Sequence, residues 1–228
     1  VRTRIHAAEA EAGRAPNSVT LIAVGKTFGA DALRAAVSAG ARVFGENYLQ
    51  EALEKQAALS HLELQWHYIG AVQSNKTRAL AEHFDWIHTV DRMKIARRLS
   101  AARSEQAAPL QLCVQINVDG EATKAGIAPT DAAALVREIS LLPRIRVRGL
   151  MAIPAPRHNQ AEQGAVFGRI AQLARDIAAT LPAAAAADFD VLSMGMSADL
   201  EAAVAAGATH VRIGSAVFGQ RTRNGDRT

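Results

Sequence analysis

Hydrophobic positions along the chain fall into two alternating kinds of run. The first kind is short, continuous and rich in Val, Ile, Leu and aromatics, as expected of strands buried on both faces of a parallel sheet. Eight such runs occur: VTLIAVG (19–25), ARVFGE (41–46), LQWHYIG (64–70), DWIHTV (85–90), LQLCVQIN (110–117), IRVRGLMAI (145–153), FDVLSMG (189–195) and THVRIGS (209–215). The second kind is alanine-rich and longer, with polar residues spaced as on a helix. Helices are predicted over 31–40, 46–59, 91–106, 131–142, 163–181 and 198–207, and one more, TRIHAAEAEAG (3–13), precedes the first strand. Alanine is the best helix former, so these stretches carry high intrinsic propensity as well as pattern.

Strand followed by helix, repeated, predicts parallel strands joined by right-handed crossovers. Eight such units in 228 residues favour a closed (β/α)8 TIM barrel with an extra N-terminal helix over a doubly wound open sheet. An internal echo supports a repeating unit. AAVSAGARVFGEN (35–47) and AAVAAGATHVRIGS (202–215) both run helix, Gly, strand, Gly, with Gly40 and Gly207 placed to end a helix just before a strand. No linker interrupts the pattern, so the expectation is one domain spanning 1–228.

Composition narrows the function classes. Lys plus Arg total 26 against 22 Asp plus Glu, a net charge of +4. The basic residues are scattered apart from the tail QRTRNGDRT (220–228), which suits a solvated surface better than a nucleic-acid interface. Cys113 is the only cysteine and lies in an apolar run, the place of a buried inert thiol. The seven histidines show no HxH or HExxH spacing, so no metal is expected. Apolar runs fall short of the ~18 residues of a membrane span, and the N-terminal VRTRIHAAEAEAG has no signal-peptide core. The expectation is a cytoplasmic protein without membrane attachment.

A parallel barrel gathers its chemistry at the C-terminal ends of its strands. Those ends carry Lys26, Asn47, Gly70, Asn117, Met151, Ser193 to Ser197, and Arg212 to Ser215. No carboxylate pair is among them, although Glu46 adjoins Asn47. SMGMSADLEAA turns from a strand into a helix with Ser197 placed as its N-cap, and VRIGSAVFG ends the last strand in Gly214 and Ser215. Loops after strands seven and eight are the usual phosphate site of this fold. Each turn also fits a plain cap or bend, and Asp199 in the same turn would repel an anion unless it faces outward. Lys26 fits either a solvated strand end or an amine held at the barrel mouth opposite a phosphate site. The latter arrangement suits an imine to pyridoxal 5′-phosphate (PLP).

The segments AVGKT, FGENYLQEA, WHYIGAVQSNK, CVQINVDGEATKAGI, RGLMAIPAP and LSMGMSADLEAAVAAGATHVRIGSAVFG resemble the YggS/PROSC family of pyridoxal phosphate homeostasis proteins over nearly the whole chain. The resemblance implies a barrel like the N-terminal domain of alanine racemase, with PLP held as an imine on Lys26. It implies a phosphate held by Ser197, Gly214 and Ser215, Arg212 near the pyridine nitrogen, and Asn47 lining the ring pocket. Members often carry a second lysine where this chain has Phe28, whereas Lys124 matches a further family lysine. The function implied is a carrier that buffers PLP inside the cell, acting as a monomer on PLP itself and on PLP-dependent apoenzymes. A racemase-like enzyme is the alternative, and a sugar-phosphate barrel enzyme using Lys26 without a cofactor is a third. A guanidinium cannot protonate the ring, and Tyr48 and Tyr68 are the only tyrosines available as a second base. Both facts favour the carrier.

Overall fold

The computed structural model describes residues 1–121, 123–157 and 159–219. All eight expected strands form: β1 (Thr20–Val24), β2 (Val43–Glu46), β3 (Gln65–Tyr68), β4 (Trp86–Val90), β5 (Leu110–Ile116), β6 (Ile145–Ala152), β7 (Val191–Ser193) and β8 (His210–Ile213). Each pairs in parallel with its sequence neighbour, and β8 returns to β1 to close the barrel. The basic tail lies outside the described residues.

The helices follow the same order. They are α1 (Arg2–Glu11), α2 (Ala30–Ser38), α3 (Leu49–Ala58), α4 (Thr77–His83), α5 (Met93–Ala102), α6 (Pro129–Ser140), α7 (Gln160–Thr180), α8 (Ala183–Asp188), α9 (Leu200–Ala205) and α10 (Ser215–Phe218). The echoed glycines do end helices: Gly40 and Gly207 have φ of 90° and 102°, just past the C-caps of α2 and α9. In both, the next residue's N–H bonds back five positions, Ala41 to Ala36 and Ala208 to Ala203, which satisfies an orphan carbonyl of the last turn. The segment between β3 and β4, not marked as helical by its pattern, forms a 3-10 turn (Ser74–Lys76) running into α4.

Two apolar layers lie between strands and helices. The larger joins Phe44, Leu80, Ile87, Leu99, Leu112, Val136 and Leu150 behind β2 to β6. The smaller joins Ile5 of α1, Phe167 of α7, Leu200 of α9 and Val211 of β8, so the N-terminal helix is part of the core. Arg4 of α1 pairs with Glu201 at 2.8 Å and also donates to the Ser197 carbonyl, tying α1 to the loop after β7.

Inside the barrel the filling departs from the branched aliphatics usual for this fold. Trp86, Cys113, Met151 and Val191 form a small separate apolar cluster. Around it sit His67, His88 and His210, with ring centroids 5.0 to 6.2 Å apart. Cys113 is fully buried, and burial pushes its thiol up to about 12, as an inert thiol should be. The β5–β6 register slips between Leu112 and Cys113, leaving Arg148 unpaired in the ladder. The next residue must be glycine, because a Cβ on Gly149 would stand 1.8 Å from the Val191 carbonyl oxygen. The slip turns Arg148 over the Trp86 ring, 5.3 Å from its centroid, and onto Asp190 at 2.6 Å.

Candidate functional site

At the C-terminal ends of the strands a cavity of about 600 Å³ opens, and Lys26, Asn47, Ser197, Arg212, Gly214 and Ser215 all line it. The loops after β1, β2, β7 and β8 therefore meet at one mouth, although these residues span almost the entire sequence. Among the described residues Lys26 is the only lysine on this wall. Its amine makes no hydrogen bond or ion pair with any described residue.

The backbone around Lys26 is held from α3. Thr27 sits at φ 68°, a conformation a β-branched residue rarely adopts. The Glu51 carboxylate accepts the Thr27 N–H at 3.0 Å, and the buried Lys55 amine donates to the Gly25 carbonyl at 2.8 Å. Lys55 donates as well to both oxygens of Glu46, at 2.8 and 3.0 Å. Burial raises the Glu46 carboxyl above its ordinary range, while the Lys55 contact opposes that shift. Glu46, noted in the sequence only for adjoining Asn47, thus supports the lysine turn rather than lining the cavity.

Asn47 presents to this mouth a side chain whose Oδ1 is buried without a hydrogen-bond partner. An unpaired buried acceptor costs roughly 1–3 kcal/mol. Arg212 forms the floor, 4% exposed, and donates to the Ser193 hydroxyl at 2.9 Å and the Ala152 carbonyl at 3.0 Å. Burial pushes its guanidinium down to about 10, with Asp199 and Cys113 acting in the opposite direction. It remains a cation at neutral pH.

The far side of the cavity is the pair of turns after β7 and β8. Gly214 and Ser215 open the single-turn helix α10, whose first N–H groups have no acceptor within the helix. A Cβ built on Gly214 would meet only Val24, at 3.5 Å or more. The fold itself leaves room for a side chain there, and that side chain would fill the cavity beside Val24, which also lines it. Ser197 corrects one expectation. It is not the N-cap of the following helix but lies in a turn two residues earlier, and Asp199 takes the N-cap position of α9. Asp199 instead accepts the Met196 N–H at 2.6 Å and faces a separate, smaller pocket. Its carboxylate is therefore kept from the cavity wall, and the Ser197 hydroxyl is left without a capping task.

Phe28 lines the mouth and stacks on Phe218 at 5.0 Å. Lys124 is elsewhere, paired with Asp119 at 3.1 Å and Glu121 at 2.9 Å. Tyr68 is buried with its hydroxyl on the Ala71 carbonyl, and Tyr48 is exposed; neither lines the cavity. The arrangement offers an unpaired amine on one side, hydroxyls and backbone N–H groups on the other, and a fixed cation beneath.

The chain is similar to proteins of known name. The family model described as alanine racemase, N-terminal domain, matches residues 4–222. The Pyridoxal phosphate homeostasis protein of Pseudomonas aeruginosa is 55% identical over 97% of this chain and 93% of its own length. That of Escherichia coli strain K12 is 46% identical, with coverage of 97% and 94%. Among solved structures, PipY of Synechococcus elongatus PCC7942 with PLP bound superposes with a TM-score of 0.81 at 41% identity, covering 94% of this chain and all of PipY. Alanine racemase from Corynebacterium glutamicum shares the fold, with a TM-score of 0.65 at 18% identity over 62% of that enzyme. No helix among the described residues is long and apolar enough to cross a membrane. Closed barrel, N-terminal helix and relatives agree: the chain belongs to the pyridoxal phosphate homeostasis proteins, within the alanine racemase N-terminal domain family.

Proposed function

We propose that this protein binds PLP in the cavity at the barrel mouth and acts in PLP homeostasis as a carrier rather than an enzyme. The observation that carries the reading is the unpaired Lys26 amine facing the Ser197, Gly214 and Ser215 turns across one cavity whose floor is Arg212. PLP supplies an aldehyde for an amine to engage, a phosphate, and a ring nitrogen able to accept a hydrogen bond. Lys26 is the amine. Ser197, Ser215 and the opening N–H groups of α10 suit the phosphate, and Arg212 donates toward the ring nitrogen. Asn47 lines the ring pocket.

The carrier assignment rests on what surrounds these groups. Arg212 is a donor that does not give up its proton near neutral pH, so it gives the ring nitrogen a hydrogen bond and no charge. Neither tyrosine lines the cavity, leaving no phenol to act as a second base. A racemase needs both proton traffic at the substrate and an electron-poor ring, and these residues favour neither. With one buried thiol and no disulfide, we place the protein in the cytoplasm, where it would act as a monomer and serve PLP-dependent apoenzymes.

Borohydride treatment of the PLP-loaded protein followed by peptide mapping tests the site. The pyridoxyl group is expected on the Lys26 peptide, and Lys26→Ala is expected to lose the visible absorbance of the complex. Labelling of another lysine with Lys26 untouched would overturn the assignment.

A further inference from the structure

Beneath the cavity, the polar side chains inside the barrel connect into a single series. Arg212 Nη1 donates to Ser193 Oγ at 2.9 Å, and Ser193 Oγ lies 2.8 Å from His88 Nδ1. His88 Nε2 lies 2.8 Å from His67 Nδ1, and His67 Nε2 lies 3.0 Å from Gln65 Oε1. The series draws on β8, β7, β4 and β3. Ser193, His88 and His67 are fully enclosed, whereas Gln65 is exposed at the opposite end of the barrel.

The proton positions along this series follow from one end. A guanidinium has donors only, so Ser193 Oγ must accept from Arg212. If its second lone pair accepted from His88 as well, the serine's own proton would have no acceptor among the described residues, so the arrangement that satisfies every group sends that proton to His88 Nδ1. With Nδ1 accepting, the neutral His88 ring carries its proton on Nε2 and donates to His67 Nδ1. His67 by the same logic carries its proton on Nε2 and donates to the Gln65 oxygen. In this arrangement every bond points away from Arg212, and each ring carries its proton on Nε2.

An added proton breaks this series. On His67 it would set Nδ1–H against His88 Nε2–H, and on His88 it would turn the serine hydroxyl aside and leave its proton without an acceptor. The surrounding charges act in the same direction. Arg212 of β8 is a cation beside His88, Arg148 of β6 is one beside His210, and the His210 ring faces both His67 and His88. Asp190 is taken by Arg148, and Cys113 of β5 is an enclosed thiol. Burial lowers both His67 and His88 well below the ordinary imidazole value.

We propose that Ser193, His88 and His67 are positioning residues that lock Arg212 in place as a permanent hydrogen-bond donor and make the cavity floor unable to give or accept a proton. The inference rests on the reading that a PLP ring nitrogen faces Arg212. Of the five guanidinium N–H groups, two are held by Ser193 and the Ala152 carbonyl, which fixes the plane in which the other three are offered. An unlocked arginine could swing toward solvent or toward an anion. A protonated imidazole in place of Ser193's neutral partner would repel it from the floor. The locked floor thus keeps the ring nitrogen hydrogen-bonded and uncharged, the state least able to stabilise a carbanion.

The test begins without cofactor. Long-range ¹⁵N–¹H spectra of histidine-labelled unloaded protein are expected to show His67 and His88 as neutral Nε2–H tautomers that do not titrate between pH 5.5 and 8. In Ser193→Ala, His88 is expected to lose its single-tautomer signature and PLP affinity to fall about tenfold, and Ser193→Thr, which keeps the hydroxyl, should restore both. Either histidine titrating in that range, or resting as Nδ1–H in wild type, would overturn the proposal even if PLP binds normally. So would Ser193→Ala with His88 signals and PLP affinity unchanged. If Ser193→Ala does not fold, the wild-type tautomers decide the matter. Wild-type protein that shows the expected tautomers but binds no PLP would refute the cofactor reading, and with it the role given to the floor.

Discussion

Acid should destabilise this protein well before its carboxylates titrate. His67, His88 and His210 are all lowered by burial from an ordinary value of 6.5, His210 to about 4. A histidine held below its ordinary value binds fewer protons folded than unfolded, so its contribution is complete above 6.5 and is lost as the pH falls toward the folded value. One pKa unit corresponds to about 1.4 kcal/mol. For His210 the fall from pH 7 to 5 spans roughly 1.5 units below its ordinary value and amounts to about 2 kcal/mol. His67 and His88 are lowered by the same cause, so their contributions fall in the same direction as the pH drops, and about 2 kcal/mol from His210 alone is a sizeable share of a typical domain's stability. Asp119 and Glu201 are lowered from ordinary values of 3.8 and 4.5 and respond only beneath this window. Glu46 is raised, and acid relieves its burial, so a difference between proteins is cleaner than one curve. Urea unfolding followed by circular dichroism at pH 7, 6, 5.5 and 5 provides the assay, on wild type and His210→Asn. The variant is expected to lose about 2 kcal/mol less than wild type between pH 7 and 5. Parallel curves, or a wild-type loss below about 2 kcal/mol, would show that these rings accept protons in the fold and would refute the reasoning.

Two further expectations concern the cavity. Ser197→Ala combined with Ser215→Ala should weaken PLP binding at least about tenfold, since a hydrogen bond to a charged acceptor contributes about 1.5–3 kcal/mol and 1.4 kcal/mol is one decade. Pyridoxal, which lacks the phosphate, should be little affected, and equal losses for both ligands in a titration would move the phosphate elsewhere. Exchange of amino-acid α-protons with deuterated solvent, followed by NMR on the loaded protein, is expected to be absent or marginal across a panel of amino acids, and exchange at enzyme-like rates would contradict the carrier reading.

The barrel was legible in the sequence because strands covered on both faces leave unbroken apolar runs, and the helix-ending Gly40 and Gly207 mark where two of them begin. The stretch AVQSNKTRALAEH before β4 was not, since its helix is a single short α4 with a polar approach. The cavity wall was legible as a set of strand ends, because closure of the barrel brings such ends together whatever their separation in the chain. What held the wall in place was not. Glu46 and Lys55 meet across a strand end and a helix, and their pairing depends on the angle at which α3 leaves β2. Ser197 matched a capping pattern, but Asp199 stands nearer the first turn and displaced it. Spacing along the chain tests the histidines only as metal ligands. Strand alternation would have aligned them, because His67 pairs in register with Trp86 and His88 lies two residues further on the same face.

The turn that presents Lys26 has an owner other than its own strand. Gly25 on one side of the lysine and Thr27 on the other are both gripped by α3, through Lys55 and Glu51. Anyone moving this lysine into another barrel would therefore have to carry the helix after the second strand as well, with Glu46 at its root. Copying β1 alone would transfer the amine but not its aim, since a threonine at φ 68° has no reason to stay there once its carboxylate is left behind. The smallest portable piece of this site runs from the first strand through α3, roughly a quarter-turn of the barrel, and variants in that piece should tolerate change as a group more readily than one position at a time.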